Sequence, residues 1–308
     1  MAGVLPTPEE YAALAPRPGS PVSRNFNDVR MLSTSGYATL LQVAYPTVGY
    51  GVHHYSSFIE DPWGRLLRTL DYVHGTISGG PELAGQIGAR VRAMHKTIKG
   101  TFPDGERYHA LEPEAFAWVH ATLAMAIVQG REHFARPMTQ AEKQELLDEW
   151  LGVGRFIGVR ERDLPRQWDA FRDYFDTVVA EQLAWTPAVP EVMDTLTNAQ
   201  PPNVPGLRPG LWRVLRVPMS GQQRVATAGL LGPVLRERLQ IPFSSRDRAA
   251  FRTLSRLSKA AEPAIRGPLA NFGPYYVRWR RAALERGDVA AGRASRREAA
   301  VAAGAGST

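Results

Sequence analysis

Apolar residues recur every three to four positions along most of the chain from about residue 35. This period places them on one face of an α-helix, whereas a half-buried strand would alternate apolar and polar positions. Convincing alternation is absent from the sequence, and so is an internal repeat. The pattern therefore predicts an all-α protein, a single globular domain of about eight to ten helices.

Prolines and capping residues predict where these helices begin and end. An apolar helix over residues 34–52 is expected to break at Pro46, because proline cannot continue the helical hydrogen-bond ladder. Thr139 and Glu142 have the spacing of a capping box, in which each side chain bonds the other's backbone N–H. Further boundaries are predicted at Asp61-Pro62, Pro81, Gly100, Glu112-Pro113, Asp163-Leu164-Pro165, near Pro218, and at both ends of residues 245–263.

The two ends of the chain differ in composition from its middle. Residues 1–25 are rich in Pro, Ala and Ser and are predicted to be an N-terminal arm, while residues 26–287 form the helical domain. Residues 288–308 form a low-complexity basic and Ala/Gly-rich tail, which is predicted to be disordered because it offers little to bury.

The chain has no cysteine, which removes several kinds of site from consideration. Disulfides, iron–sulfur clusters, covalent haem attachment and thiolate-ligated haem all need that residue. Motifs for a Walker A loop, a nucleophile elbow and an HExxH zinc site are also absent, and so is the pair of Glu-x-x-His motifs that helix bundles use for di-iron sites. Any bound iron would therefore rely on histidine, tyrosine or carboxylate ligands.

Charge and hydropathy restrict the expected partners and compartment. The net charge is +7, with arginines gathered near the C-terminus. Because no helix-turn-helix, zinc-finger or RNA-binding signature accompanies them, they are interpreted as surface charge and a solvated tail, and no nucleic acid is expected. The sequence has no membrane-length apolar run and no signal-peptide pattern, so we expect a cytoplasmic protein without a membrane span.

One predicted helix carries an unusual cationic face. In the stretch GRLLRTLDYVHG, residues 64–75, four side chains share a face at helical spacing: Arg65, Arg68, Thr69 and Tyr72. Such a face usually contacts water. The alternative is a buried anion, since arginine's planar guanidinium matches a carboxylate.

Two histidines lie among apolar neighbours on predicted helices. His95 is in VRAMHKTIKG and His120 is in WVHATLAMAIV. A lone histidine on an apolar face is more often a satisfied core residue than a ligand. A haem, however, needs an axial base and partners for two propionates, and His95 or His120 with Arg65 and Arg68 could supply both. The residues alone leave both interpretations open.

The chain resembles the MpaB-type oxygenase family as a short member; this helical superfamily includes the bacterial latex-clearing proteins (rubber oxygenases). The resemblance covers roughly residues 30–240 and rests on the order and spacing of three stretches: GYATLLQVAYPTVGYGVHHYSSFIEDPWGRLLRTLDYV, VRAMHKTIKG and WVHATL. Rubber oxygenases are haem-b proteins with an axial histidine that use dioxygen. The resemblance therefore implies haem b, with His95 as the first choice of iron ligand and His120 as the second.

The family pattern also implies roles for the cationic face. Residues 65–69 occupy the position of the Arg-x-x-Lys-Thr motif of the rubber oxygenases. Arg65 would then pair with a propionate, Tyr72 would belong to the same cofactor site, and Arg68 and Thr69 would face the reactive side. Tyr45 is a further catalytic candidate, because related short members commonly have histidine there.

Two departures from the family direct the expected chemistry away from rubber cleavage. Arg68 replaces a lysine, and a permanently protonated guanidinium cannot ligate iron as that lysine can. Tyr45 replaces the histidine of a QVAHP motif. The expected activity is a haem-b-dependent oxygenase or oxidoreductase acting on a small apolar substrate with dioxygen or peroxide. The alternative is a non-catalytic helical haem- or lipid-binding protein of the same fold.

Overall fold

A computed structural model describes residues 5–55, 62–198 and 209–286 of the chain. Fourteen α-helices and one antiparallel hairpin make up the main regular structure of these residues. The helices are α1 Pro8–Leu14, α2 Pro21–Phe26, α3 Ser35–Val43, α4 Pro46–Tyr55, α5 Pro62–Ser78, α6 Pro81–His95, α7 Pro113–Phe134, α8 Gln140–Gly154, α9 Trp168–Glu181, α10 Ala188–Thr197, α11 Pro209–Leu230, α12 Pro233–Arg238, α13 Ser245–Ala260 and α14 Phe272–Glu285. The strands are β1 Lys99–Thr101 and β2 Arg107–His109, and short 3-10 helices cover Val29–Thr34, Arg155–Ile157, Glu161–Asp163 and Glu262–Ala264.

The all-α class is confirmed, but the predicted number of helices is wrong. The described residues hold 14 helices rather than eight to ten. Several additional helices are only one or two turns long, such as α2 and α12 with 6 residues each. A segment that short spans too few positions to show a helical period, so its helix is set by its cap and by packing.

Several predicted boundaries are confirmed. The apolar stretch breaks at Pro46, where α4 begins after α3 has ended at Val43. The capping box starts α8: the Thr139 hydroxyl accepts from the Glu142 N–H at 3.2 Å, and the Glu142 carboxylate accepts from the Thr139 N–H at 2.8 Å. Helix α7 begins at Pro113, as predicted. Asp61, the predicted cap of α5, lies outside the described residues.

Three boundary predictions are wrong. Helix α11 runs unbroken through Pro218; this proline is exposed, so water can hydrate the carbonyl that loses its helical donor. Helix α9 begins at Trp168, because the Asp163 carboxylate instead accepts from the Arg160 N–H at 2.9 Å and caps a 3-10 turn. Helix α6 ends at His95 rather than at Gly100.

Gly100 belongs to the hairpin, which the sequence pattern does not predict. It pairs with Tyr108 across β1 and β2, and a Cβ there would overlap the Tyr108 ring. Three residues per strand are too few to show alternation. The glycine that resembles a helix stop is therefore a site of close ring packing.

The N-terminal segment contributes to the core. Residues 1–25, predicted as an arm, include α1 and most of α2; Tyr11 and Val22 are buried in the main apolar cluster. The Val22 N–H also donates to the Glu149 carboxylate at 2.6 Å. The tail over 288–308 lies outside the described residues, and the division of the chain at residues 25 and 287 stays a prediction.

Helix α7 forms the centre of the fold and is buried along most of its 22 residues. Helices α3, α8 and α13 pack against it. The Trp118 indole donates to the Leu41 carbonyl of α3 at 2.9 Å, which satisfies its one polar group inside the core. Within the described ranges, no helix combines the length and apolar character that a bilayer crossing requires.

A buried ionic contact with α14 fixes the position of α5. The Arg280 guanidinium donates to both Asp71 carboxylate oxygens, at 2.8 and 2.9 Å, and the Tyr276 hydroxyl donates to the same carboxylate at 2.7 Å. One turn along, His74 lies 3.3 Å from the Asn27 side-chain oxygen. Asp71 is three positions from Arg68, so this ionic contact borders the cationic face of α5 and helps to orient it.

Replacing Asp71 by asparagine is expected to destabilise the fold by about 3 kcal/mol, because it leaves the buried Arg280 charge without its counter-ion. Urea unfolding followed by circular dichroism measures the effect. Asp173→Asn is the matched control, since Asp173 is exposed on α9. Equal stability of both variants would show that the α5–α14 contact adds little.

Candidate functional site

The cationic face of α5 is turned towards α6. The two helices are antiparallel neighbours, joined at Gly79-Gly80. They approach closely near this turn, because a Cβ at Gly75 or Gly79 would overlap Ile87 or Leu83 of α6. The antiparallel return brings the C-terminal end of α6 back to the N-terminal half of α5.

His95, the last residue of α6, therefore lies beside Arg65. The two side chains are close enough to interact electrostatically. Burial lowers the pKa of His95, and the hydrogen bond to the Val91 carbonyl partly offsets this effect. The Arg65 charge lowers the pKa further. The imidazole is consequently neutral at pH 7. A neutral imidazole is the form that can ligate a metal.

The hydrogen bonds of His95 assign its ring nitrogens. Nδ1 lies 2.7 Å from the Val91 carbonyl oxygen. A carbonyl can only accept, so Nδ1 carries the proton and Nε2 holds the lone pair. The ring packs edge-on against Phe116 of α7, with centroids 5.2 Å apart. Donation from one nitrogen to a carbonyl is the arrangement that orients histidine ligands and raises their basicity.

The remaining residues of the cationic face differ in their surroundings. Arg65 and Arg68 are half-buried, whereas Thr69 is exposed and its hydroxyl donates back to the Arg65 carbonyl at 3.1 Å. The Tyr72 hydroxyl is buried and has no hydrogen-bond partner among the described residues, and burial raises its pKa. Water is therefore the partner of only part of this face.

His120, the second predicted ligand, is enclosed in the core at 0% exposure. Its Nε2 donates to the Trp150 carbonyl at 2.7 Å, and the Trp150 indole donates to the His120 carbonyl at 2.9 Å. The two rings stack at 4.3 Å, and a Cβ at Gly154 would come within 2.8 Å of Nε2. Burial lowers the pKa of His120 to about 4. This geometry is that of a packed core histidine, although its Nδ1 has no hydrogen-bond partner within the part of the chain that the structure describes.

Tyr45 lies apart from Arg65 and His95. Its ring is 6.3 Å from that of Trp118, whereas His95 packs on Phe116. Two residues along a helix are separated by roughly 200°, so these contacts are on opposite faces of α7. Burial, with the nearby Glu114 and Glu112 carboxylates, raises the pKa of Tyr45 to about 12. The phenol is therefore protonated at neutral pH.

Sequence reasoning missed the residues that surround the two histidines. Val91 stands four positions before His95, so helical spacing alone indicates that its carbonyl is within reach. Trp150 is 30 residues from His120 and belongs to another helix. No local signal identifies that partner.

The arrangement around His95 fits a haem better than an iron site built from protein ligands alone. Among the described residues, no three His, Cys, Asp or Glu side chains gather in a group that could hold a metal ion. Haem iron needs only one protein ligand, since the porphyrin supplies the other in-plane bonds. His95 offers the lone pair of Nε2, and Arg65 offers a nearby cation. Tyr72 offers a buried hydroxyl for which the described residues supply no partner.

Comparison with known proteins identifies the family. Residues 23–260 match the model described as "ER-bound oxygenase mpaB/B'/Rubber oxygenase, catalytic domain". Neither a curated protein nor a solved structure gives a significant match. The matched residues include Arg65, His95 and His120 but end before α14. The chain therefore belongs to the mpaB/rubber oxygenase catalytic-domain family.

Proposed function

We propose that the protein is a haem-b-dependent oxygenase that acts on a small apolar substrate with dioxygen or peroxide. Membership of an oxygenase catalytic-domain family supports the reaction class. The observation that carries haem dependence is His95, a neutral imidazole with Nδ1 bonded to a backbone carbonyl and Arg65 beside it. That combination would supply a ligand for the iron and a partner for a propionate at one place.

Three residues would hold the cofactor. His95 would ligate through Nε2, with its ring orientation fixed by Val91 and Phe116. Arg65 would pair with a propionate, and the Tyr72 hydroxyl would gain a hydrogen-bond partner that the described residues do not supply. When bound, haem b supplies the activation of dioxygen or peroxide.

Arg68 and Thr69 would serve the reactive side. A guanidinium is a permanent cation, so Arg68 cannot act as a ligand or a base. The Thr69 hydroxyl donates its hydrogen bond to the Arg65 carbonyl, so the Thr69 oxygen remains available as an acceptor. These properties suit Arg68 and Thr69 to orient a bound substrate and to stabilise negative charge, rather than to transfer a proton. Rubber cleavage is not proposed, and the cytoplasmic location stays a prediction.

The absorption spectrum of the freshly purified protein, oxidised and reduced, tests the proposal. We expect a Soret band that shifts on reduction, and oxidation of the reduced protein by dioxygen or peroxide. A protein with no Soret band, and none after haemin is added, would overturn haem dependence.

A second candidate is a non-catalytic haem- or lipid-binding protein of the same fold. The observation that favours it is Tyr45, a protonated phenol on the far side of α7 from His95, where relatives commonly have histidine. A haem that binds but neither reduces nor reacts with oxygen or peroxide would support this function instead.

Replacing Arg65 by alanine is expected to weaken haem binding about 10-fold, which corresponds to the loss of one charge-assisted hydrogen bond of roughly 1.4 kcal/mol. The Soret position should not move, because the iron ligand is unchanged. Haemin titration measures both quantities. Arg90→Ala is the control, since Arg90 is exposed on α6; a shifted Soret band in Arg65→Ala would contradict the propionate role.

A further inference from the structure

We propose that a second ligand site lies on the opposite side of α7 from His95. It is a cleft of about 500 Å³, and its ligand is an uncharged amphiphile: an apolar chain or ring that ends in a hydroxyl or carbonyl. The volume is within the range of about 300–1,000 Å³ typical of small-molecule sites. This inference goes beyond the proposed function, because the cleft shares no residue with the His95 site.

The position of the cleft follows from the periodicity of α7. Met125, Gln129 and Glu132 line it. Met125 is nine residues from Phe116, which corresponds to about half a turn around the helix axis. Phe116 packs on His95, so α7 itself separates the cleft from the proposed haem site.

The cleft has apolar walls from several helices. Leu41 of α3, Phe175 of α9 and Leu235 of α12 line it, and each is at most 5% exposed. Trp168 adds an indole at the start of α9. These side chains would bury an apolar chain or ring, and such burial stabilises a complex by roughly 25 cal/mol per Å² of apolar surface before association costs.

The charges of the cleft cancel, which argues against a charged ligand. Glu132 and Asp176 oppose Lys143 and Arg172. Arg172 lies 3.5 Å from Asp176, and the Lys143 ammonium lies 5.8 Å from the centre of the Trp168 ring. Each cation thus already faces a local partner. A carboxylate or ammonium ligand would meet as much repulsion as attraction here.

Two uncharged polar groups give the site a place for one ligand oxygen. Tyr37 lines the cleft, and burial together with the Asp176 carboxylate raises the pKa of its phenol. The phenol therefore keeps its proton and can donate to an oxygen. Gln129 presents an amide on the same side of α7 and can donate or accept. A hydroxyl or carbonyl satisfies both without bringing a charge.

An aromatic row connects this cleft to Tyr45. The Tyr45 ring is 6.3 Å from Trp118, and Trp118 is 5.0 Å from Phe175 at the cleft wall. Tyr45, which departs from the family pattern, therefore lies on the same side of α7 as the cleft and packs on a ring that contacts the cleft wall.

Calorimetric titration with three eight-carbon probes tests the site: octan-1-ol, octanoate and octylammonium. We expect saturable binding of octan-1-ol, at least 10-fold tighter than either ion. Gly232→Trp should weaken it at least 10-fold, because Gly232 lines the cleft and a Cβ there would have no described atom within 4 Å, which leaves room for the indole. Gly221→Trp is the matched control, since Gly221 is also exposed with open space around it but does not line the cleft.

Titration of His95→Ala separates the two sites. We expect it to bind octan-1-ol as the native chain does, whatever its haem content. Loss of octan-1-ol binding in His95→Ala would place the ligand at the His95 site and overturn the proposal. Equal affinity in Gly232→Trp and Gly221→Trp, equal affinity for the three probes, or absence of saturation would also overturn it.

Discussion

Replacing His95 by alanine is expected to abolish haem retention, with the Soret band lost on gel filtration. The lone pair on Nε2 is the ligand proposed for the iron, and no other described histidine combines a neutral ring, partial exposure and a neighbouring Arg65. Added imidazole should restore the band, because it can occupy the cavity that the missing ring leaves. A purely structural role for His95 would give no such rescue.

His133→Ala is the matched control for this experiment. Like His95, His133 is half-buried on a helix and packs on a phenylalanine, with its ring 5.2 Å from that of Phe251. We expect this variant to keep its Soret band. If His95→Ala keeps the band while His120→Ala loses it, the ligand is His120 and the assignment is wrong.

The free energy of unfolding is expected to fall by about 5 kcal/mol as the pH decreases from 6.5 to 4. His74 and His120 are 2% and 0% exposed, and burial lowers the pKa of each to about 4. In the unfolded chain a histidine takes up its proton near pH 6.5. The unfolded state therefore binds protons first as the pH falls, and each histidine removes about 2.6 kcal/mol of stability across this interval.

Urea unfolding at several pH values between 7.5 and 4.5 measures this dependence. Near pH 7.5 both states hold the two imidazoles almost entirely neutral, so their contribution should level off there. In His74→Asn one of the two titrations is gone, and the dependence on pH should become shallower by one proton. The same slope in His74→Asn and in the native chain would show that His74 is not held neutral by burial.

Local interactions explain which features could be predicted from the sequence. Pro46, Pro113 and the Thr139 capping box act on the backbone within one turn, so their residue types are sufficient to place the helix ends. The same reasoning fails at Gly100 and Pro218. Gly100 contacts a ring on another strand, and Pro218 depends on which side of its helix faces water.

The functional residues show the same division. Helical spacing placed Arg65, Arg68 and Tyr72 on one face of α5, but it did not indicate what that face contacts. The antiparallel return of α6 decides it, by bringing His95 to Arg65. Spacing also could not separate the two candidate histidines, since both lie among apolar neighbours on helices.

By itself, the sequence of this protein determined the helical class, the principal caps and the composition of the cationic face, because these depend on residues within about four positions of one another. Tertiary structure alone decided that His120 is enclosed by Trp150, 30 residues away, and that Asp71 is held by Arg280, 209 residues away. It also decided that Tyr45 and His95 pack against opposite faces of α7, on Trp118 and Phe116 respectively. Burial and partner choice depend on which helices meet, and that is set by packing over the whole chain.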